Sequence, residues 1–186
     1  RAAGYRTAGF SAGALSGSRW GLGRGFELYR DPDRFETKGD RQTAYVEEYL
    51  ESIDGQPFFL FVNYFDPHAM FQAPEEFEAL FGVDELRDRI DELPMWNRVG
   101  RGDNEAWQAV VSGAAEPHPD ANAYLEAAYG AEVAFMDHQI GRLMAFLQHR
   151  GLYESSTIIL AADHGELLGE HGLYSHGCRL DPELTE

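Results

Sequence analysis

Two short apolar runs constrain this chain more than any other feature. Phe58 to Val62 reads FFLFV and Thr157 to Ala162 reads TIILAA. Uninterrupted runs of this length and make-up are what strands buried on both faces of a parallel sheet look like. Both are far too short to cross a bilayer. Each runs straight into polar residues: Asn63-Tyr64-Phe65-Asp66-Pro67-His68 after the first, Asp163-His164-Gly165-Glu166 after the second. In open α/β sheets ligands bind at the carboxyl ends of the strands. Two sequence-distant polar clusters are therefore expected to meet at one edge of one sheet.

The rest of the pattern fits an α/β chain. Leu125, Ala128, Glu132, Met136, Ile140, Leu143, Met144 and Leu147 recur at three- and four-residue steps, which predicts a helix over residues 124–150. Gly151 stands where a left-handed closing residue is needed, and Asp120 or Asn122 is placed to cap the start. That helix, a short loop and the second apolar run form one α/β unit. Residues 43–53 carry a shorter helical pattern stopped by Asp54-Gly55, and Tyr5 to Phe10 reads as a short strand after a helix end. Ser11 to Gly25 is a Gly/Ser-rich loop. Residues 75–122 show one short helical pattern (Glu85 to Leu93) and the turn-like Glu116-Pro117-His118-Pro119. They read as a partly helical excursion over the sheet.

Charge narrows the function classes. The 186 residues carry 32 Asp+Glu against 15 Lys+Arg, a net charge of −17. Nucleic-acid binding needs clustered basic residues, so this balance argues against it. The acidity fits either an ordinary solvated surface or adaptation to strong salt, as in a halophile. The one cysteine, Cys178, excludes an intrachain disulfide framework and a multi-cysteine zinc site. No charged-then-apolar leader opens the chain, but with no initiator Met it reads as an internal piece of a longer protein, so localisation stays open, with a lean towards the cytoplasm.

The second polar cluster continues as Gly169-Glu170-His171-Gly172 and Ser175-His176-Gly177. Aspartate supplies a hard oxygen and neutral histidine a nitrogen, both ordinary ligands of divalent cations. Glycine permits the tight turns and close backbone approach such a loop requires. Each residue taken alone also fits a cap, a turn or a satisfied loop histidine.

The run from Asp163 to Gly172, followed by His176-Gly177, resembles the late metal-binding motif of the sulfatase family, within the alkaline phosphatase superfamily. Phe58 to His68 resembles that family's strand leading to a Pro-His. Residues 129–152, with Glu132, Asp137 and Ile140-Gly141-Arg142-Leu143, resemble the long helix before the metal strand. Gly4 to Phe10 and Gly21 to Phe26 resemble an earlier strand and loop. The segments run in family order along nearly the whole chain, and only residues 75–122 lack a family signature.

The resemblance implies an alkaline-phosphatase-like α/β/α sandwich with a mostly parallel sheet, here incomplete, with residues 1–186 the central part of one catalytic domain and 75–122 a variable insertion. It implies a sulfuric ester hydrolase acting on a small sulfate ester or sulfated sugar. Asp163 and His164 would be ligands of a divalent cation, calcium above magnesium or manganese. His68 would contact the sulfate or stabilise the leaving oxygen. His176 falls where many members place a lysine that holds a sulfate oxygen. An imidazole is a cation only when protonated, which also leaves room for a phosphate or phosphonate ester. Glu166 is ambiguous, Glu170 and His171 fit loop structure, and Asp137 fits an orienting role. The family's nucleophile is a modified Cys or Ser in a Cys-x-Pro-Ser-Arg-like motif. Cys178 is followed by Arg179-Leu180-Asp181 and does not match, so a formylglycine nucleophile is expected outside this chain. A further reading is a non-catalytic metal- or anion-binding module, whose cue is that missing nucleophile. Trp96, Trp107 and Phe71 fit either a pocket lining or, more simply, core packing.

Overall fold

The computed structural model describes residues 4–33 and 36–176. Cys178 and the helix end expected at residues 1–3 lie outside them. The chain divides into two compact units, one of residues 1–66 and 135–157, the other of residues 67–134 and 158–186.

The first unit is built on three strands: β1 (Arg6–Ser11), β2 (Leu28–Arg30) and β3 (Phe58–Asn63). Their order is β2-β1-β3 and both pairings are parallel, with Ala8 opposite both Leu28 and Leu60. Parallel neighbours need a crossover, and α1 (Gly39–Ser52) supplies it between β2 and β3. The helical pattern expected over residues 43–53 is real, and the helix begins four residues earlier at Gly39. Ala8 and Phe10 on one sheet face are buried against Val46, Tyr49 and Leu50 of α1. Leu143 and Leu147 close the same core from the C-terminal part of a long helix, α6 (Pro119–His149). Gly9 faces the other way, and a Cβ there would lie 2.5 Å from the Tyr29 ring.

Two strand expectations need correcting. β3 is not buried on both faces. Phe59 is 57% exposed and Phe61 41%, alternating with covered residues, so only one sheet face has a helical layer among the described residues. Thr157 to Ala162 forms no strand at all. Its backbone joins no described ladder, and Ile159 is 86% exposed. Strand structure needs a neighbour for its N–H and C=O groups. None of the described strands offers one, so the apolar side chains face outward.

The long helix ends as expected. Gly151 is left-handed (φ 67°), the Leu152 N–H donates to the Leu147 carbonyl and the Gly151 N–H to that of Gln148. Its start differs. His118, rather than Asp120 or Asn122, caps it, with Nδ1 accepting the Asp120 N–H at 3.2 Å.

The second unit is helical. Four short helices, α2 (Glu75–Leu80), α3 (Val83–Ile90), α4 (Pro94–Gly100) and α5 (Asn104–Val111), pack with the N-terminal part of α6. Their shared core contains Val83, Ile90, Trp96, Trp107, Val110 and Leu125, so both tryptophans and Phe71 are packing residues. Only α3 was legible as a pattern. Helices of six to eight residues complete about two turns, too few for a period to stand out. Local chemistry still fixes their ends. Pro94 opens α4, and the Asp103 side chain caps α5 by accepting the Glu105 and Ala106 N–H groups. No helix among the described residues is long and apolar enough to cross a membrane.

Candidate functional site

In the second unit a small hairpin organises the polar residues. β4 (Leu167–Leu168) pairs antiparallel with β5 (Tyr174–Ser175), Leu167 opposite Ser175 and Leu168 opposite Tyr174. Leu167, Leu168 and Tyr174 are buried, which pins the hairpin to the helical core. Tyr174 packs edge-on against Trp96 with ring centres 5.2 Å apart, and its hydroxyl donates to Asn122 Oδ1 at 2.7 Å. Between the strands, Glu170 Oε2 accepts the Leu168 N–H at 2.6 Å, while His171 is exposed in a left-handed turn. Glu170 therefore braces the loop.

One step beyond the ladder in the same register, Glu166 stands across from His176. The His176 Nδ1–H donates to Glu166 Oε2 at 2.8 Å. The Glu166 side chain is only 4% exposed, and its second oxygen is buried without a hydrogen-bond partner among the described residues. Around His176 the structure gathers two further imidazoles. His164 stacks on it with ring centres 4.1 Å apart and an interplanar angle of 35°, and His68 meets it edge-on at 5.5 Å. Residues from the two sequence-distant polar clusters thus do come together.

The His68 loop reaches this position because the chain beyond it is anchored. Phe71 packs edge-on against Tyr129, and the Gln72 N–H donates to the buried Glu132 carboxylate. Burial, and secondarily the Glu166 carboxylate, pushes the Tyr129 phenol above the ordinary tyrosine range.

All three imidazoles use Nδ1 in the same way. His68 donates to the Ala69 carbonyl at 2.7 Å, His164 to the Gly165 carbonyl at 2.8 Å, and His176 to Glu166. Each partner oxygen accepts, so each Nδ1 carries a proton and Nε2 is the ring nitrogen on the far side of that bond, in His164 3.8 Å from Asp163 Oδ2. Fixing one imidazole nitrogen inside the protein is how histidines are prepared for ligation or charge contact.

The remaining sequence-predicted residues are less engaged. Asp163 is 87% exposed, and its Oδ1 accepts only the His164 N–H. Among the described residues no cluster of three or more His, Cys, Asp or Glu side chains is arranged to hold a metal ion. Asp163 and His164 offer two donors where calcium takes six to eight. This chain's described residues therefore do not make up a complete cation shell. Asp137 is exposed on α6.

In the first unit, the end of β3 forms a separate polar knot. Asn63 Oδ1 accepts from the Ala12 and Gly13 N–H groups and from the Ser16 hydroxyl at 2.8–3.3 Å. Its own carbonyl accepts from Gln42 at 2.9 Å. Asp66 is buried and paired with Lys38 at 3.4 Å, a structural use of a carboxylate that reads as ligand-like in the sequence. Other basic residues of this stretch are similarly occupied: Arg6 pairs with Glu27 and Arg41 with Asp33. Asn63 does not stand out in the sequence as a hub of hydrogen bonds. Its signal was available, as the first polar residue closing an apolar run.

The sulfatase family model matches residues 1–182. The chain belongs to the sulfatase family. It is 33% identical over 160 residues to human iduronate 2-sulfatase, covering 78% of this chain and 29% of that protein. It is 28% identical over 164 residues to the multifunctional alkaline phosphatase superfamily protein PehA of Trinickia caryophylli, covering 76% of this chain and 30% of that one. Among solved structures it resembles a phosphonate monoester hydrolase from Silicibacter pomeroyi, with a TM-score of 0.53, 25% identity, and coverage of 79% of this chain and 31% of the other. This sulfatase-family chain thus spans about a third of the proteins it matches. The α/β class with a parallel sheet, read from the apolar runs, agrees with that structural neighbour.

Proposed function

We propose that this chain carries part of the substrate site of a sulfuric ester hydrolase, with His68 and His176 as the residues that contact the transferring group. The observation that carries the reading is the convergence of His68, His164 and His176, from two segments about a hundred positions apart, with Nδ1 of each committed to the protein. Nδ1-anchored imidazoles present Nε2 in fixed directions; in the imidazolium form, where both ring nitrogens carry a proton, the Nε2–H can donate to a sulfuryl or leaving oxygen and stabilise its charge. The attacking nucleophile, a formylglycine on this reading, and the remaining cation ligands would come from outside these residues. Asp163 and His164 are the pair this chain would contribute to a divalent cation, calcium first, which would neutralise the substrate anion.

The second reading is a phosphonate or phosphate ester hydrolase. The resemblance to the Silicibacter pomeroyi phosphonate monoester hydrolase favours it, as does a histidine in place of the lysine many sulfatases carry. A non-catalytic anion-binding module is a third.

One experiment separates them. The full-length protein is assayed with an aryl sulfate and an aryl phosphonate monoester, with and without chelator. The proposal expects preference for the sulfate, loss of activity on chelation, and a fall of about 100- to 1000-fold in kcat for His176→Ala, the range seen when one transition-state donor is removed. A preference for the phosphonate ester would establish the second reading. Absence of turnover with an intact nucleophile would establish the third. Activity indifferent to both chelator and Asp163→Ala would remove the cation assignment.

A further inference from the structure

We propose that Glu166 is the positioning residue of this site, holding the ring of His176 in the one orientation that presents Nε2 to the substrate; the proposal rests on His176 contacting the transferring group. His68 and His164 are each fixed by the carbonyl of the next residue, Ala69 and Gly165, so their anchors are backbone and local. His176 is held by a side chain ten residues away in the sequence.

Three features make that dependence specific. The β4–β5 register places Glu166 and His176 directly across from one another, where cross-strand side chains reach each other. Glu166 is held by burial rather than by other bonds, since its second oxygen has no hydrogen-bond partner among the described residues. And the backbone is committed to the turn that delivers His176: Ser175, just before it, is left-handed at φ 73°, a conformation that a side chain disfavours. The local fold therefore aims His176 at Glu166, and the hydrogen bond sets the ring's rotation. With Nδ1 tied to a carboxylate, the ring cannot flip to exchange its nitrogens without breaking that hydrogen bond.

The test uses the full-length protein with Glu166→Gln and Glu166→Leu. Glutamine keeps an acceptor for Nδ1–H; leucine keeps the volume and removes it. Two readouts are taken: kcat and KM with an aryl sulfate, and the ring-nitrogen NMR signals of ¹⁵N-histidine-labelled protein, with His176 assigned from His176→Ala. In the wild type the His176 Nδ1–H is expected as a protected, slowly exchanging signal. It should persist in Glu166→Gln, whose kcat stays close to wild type. In Glu166→Leu it should be lost, with kcat down about 10- to 100-fold, the usual effect of removing a partner that orients an active-site histidine, and KM little changed. Leucine at 166 with an unmoved His176 signal and unchanged kcat would overturn the proposal. So would a folded Glu166→Gln protein as inactive as Glu166→Leu, because orientation would then not be what Glu166 supplies. If no aryl sulfate is turned over by the wild type yet the His176 signal still follows residue 166, the sulfate-ester reading fails while the positioning role stands.

Discussion

The carboxylate of Glu132, buried in α6, accepts a hydrogen bond from the backbone N–H of Gln72 at 2.7 Å. This is the tie that secures the chain four residues beyond His68. Glu132 stands in an otherwise apolar stripe of the helix, between Ala128 and Phe135. Replacing it with leucine would match the stripe but remove the acceptor of the Gln72 N–H, at a cost of about 1.5–3 kcal/mol, the usual worth of a hydrogen bond to a charged group. Glu132→Gln keeps an acceptor and should cost less. Urea denaturation midpoints of the two variants check this, with Glu132→Leu expected to be the weaker protein despite its better helix pattern. Equal midpoints would show that the Gln72 tie contributes nothing.

Asn63 gathers three donors on one oxygen, two of them backbone N–H groups from the loop after β1. Asn63→Asp retains that acceptor, whereas Asn63→Ala leaves the Ala12 and Gly13 amides unpaired. The alanine variant should therefore lose about 1–3 kcal/mol more than the aspartate variant. Amide hydrogen exchange is the sensitive measurement: Ala12 and Gly13 should exchange faster in Asn63→Ala and not in Asn63→Asp.

How much of this could be read from the sequence depends on what each residue answers to. β3 and the long helix were legible because a run or a period extends over enough residues to be seen. His68 and His164 were legible as polar residues closing apolar runs, and His176 through its place in a motif. Glu166 and Asn63 were not legible as partners, because their roles depend on register and on loop closure, which appear only once strands are paired. Thr157 to Ala162 misled for the converse reason. Composition says that a run belongs in a sheet, but a strand also needs a neighbour, and hydropathy carries no information about whether one is present. Asp66 misled because a buried carboxylate beside Lys38 and a ligand carboxylate have the same sequence signature.

Asp103 links the stability of the helical unit to pH. The Arg98 guanidinium first, and then the Ala106 and Glu105 N–H groups, hold its carboxyl below the usual aspartate range. A depressed folded-state value means that the carboxylate's contribution is complete above the unfolded value, near 4, and is lost as pH falls through the lower folded value. Thermal melting should therefore weaken in acid below about pH 4, the ordinary aspartate range. Asp103→Asn keeps a cap acceptor but has no proton to gain, so its melting temperature should fall less steeply over the same window. Parallel slopes for the two proteins would show that the Arg98–Asp103 tie does not form in solution.

Ile159 tests whether the exposed apolar run is surface or unfinished core. At 86% exposure its side chain has little to lose, so in the 186-residue chain Ile159→Lys should change stability by no more than about 0.5 kcal/mol, as surface substitutions do. It should also reduce self-association, because a lysine in an unpaired apolar segment discourages edge-to-edge pairing. Light scattering against concentration, with a denaturation curve for each protein, measures both. The same substitution in the full-length protein discriminates further. If a neighbouring strand outside this chain pairs with the run, a charge placed there should cost several kcal/mol, comparable to a core substitution or more. An equally small effect in both settings would make Thr157 to Ala162 a true surface, and the strand expected there would be absent from the complete fold as well.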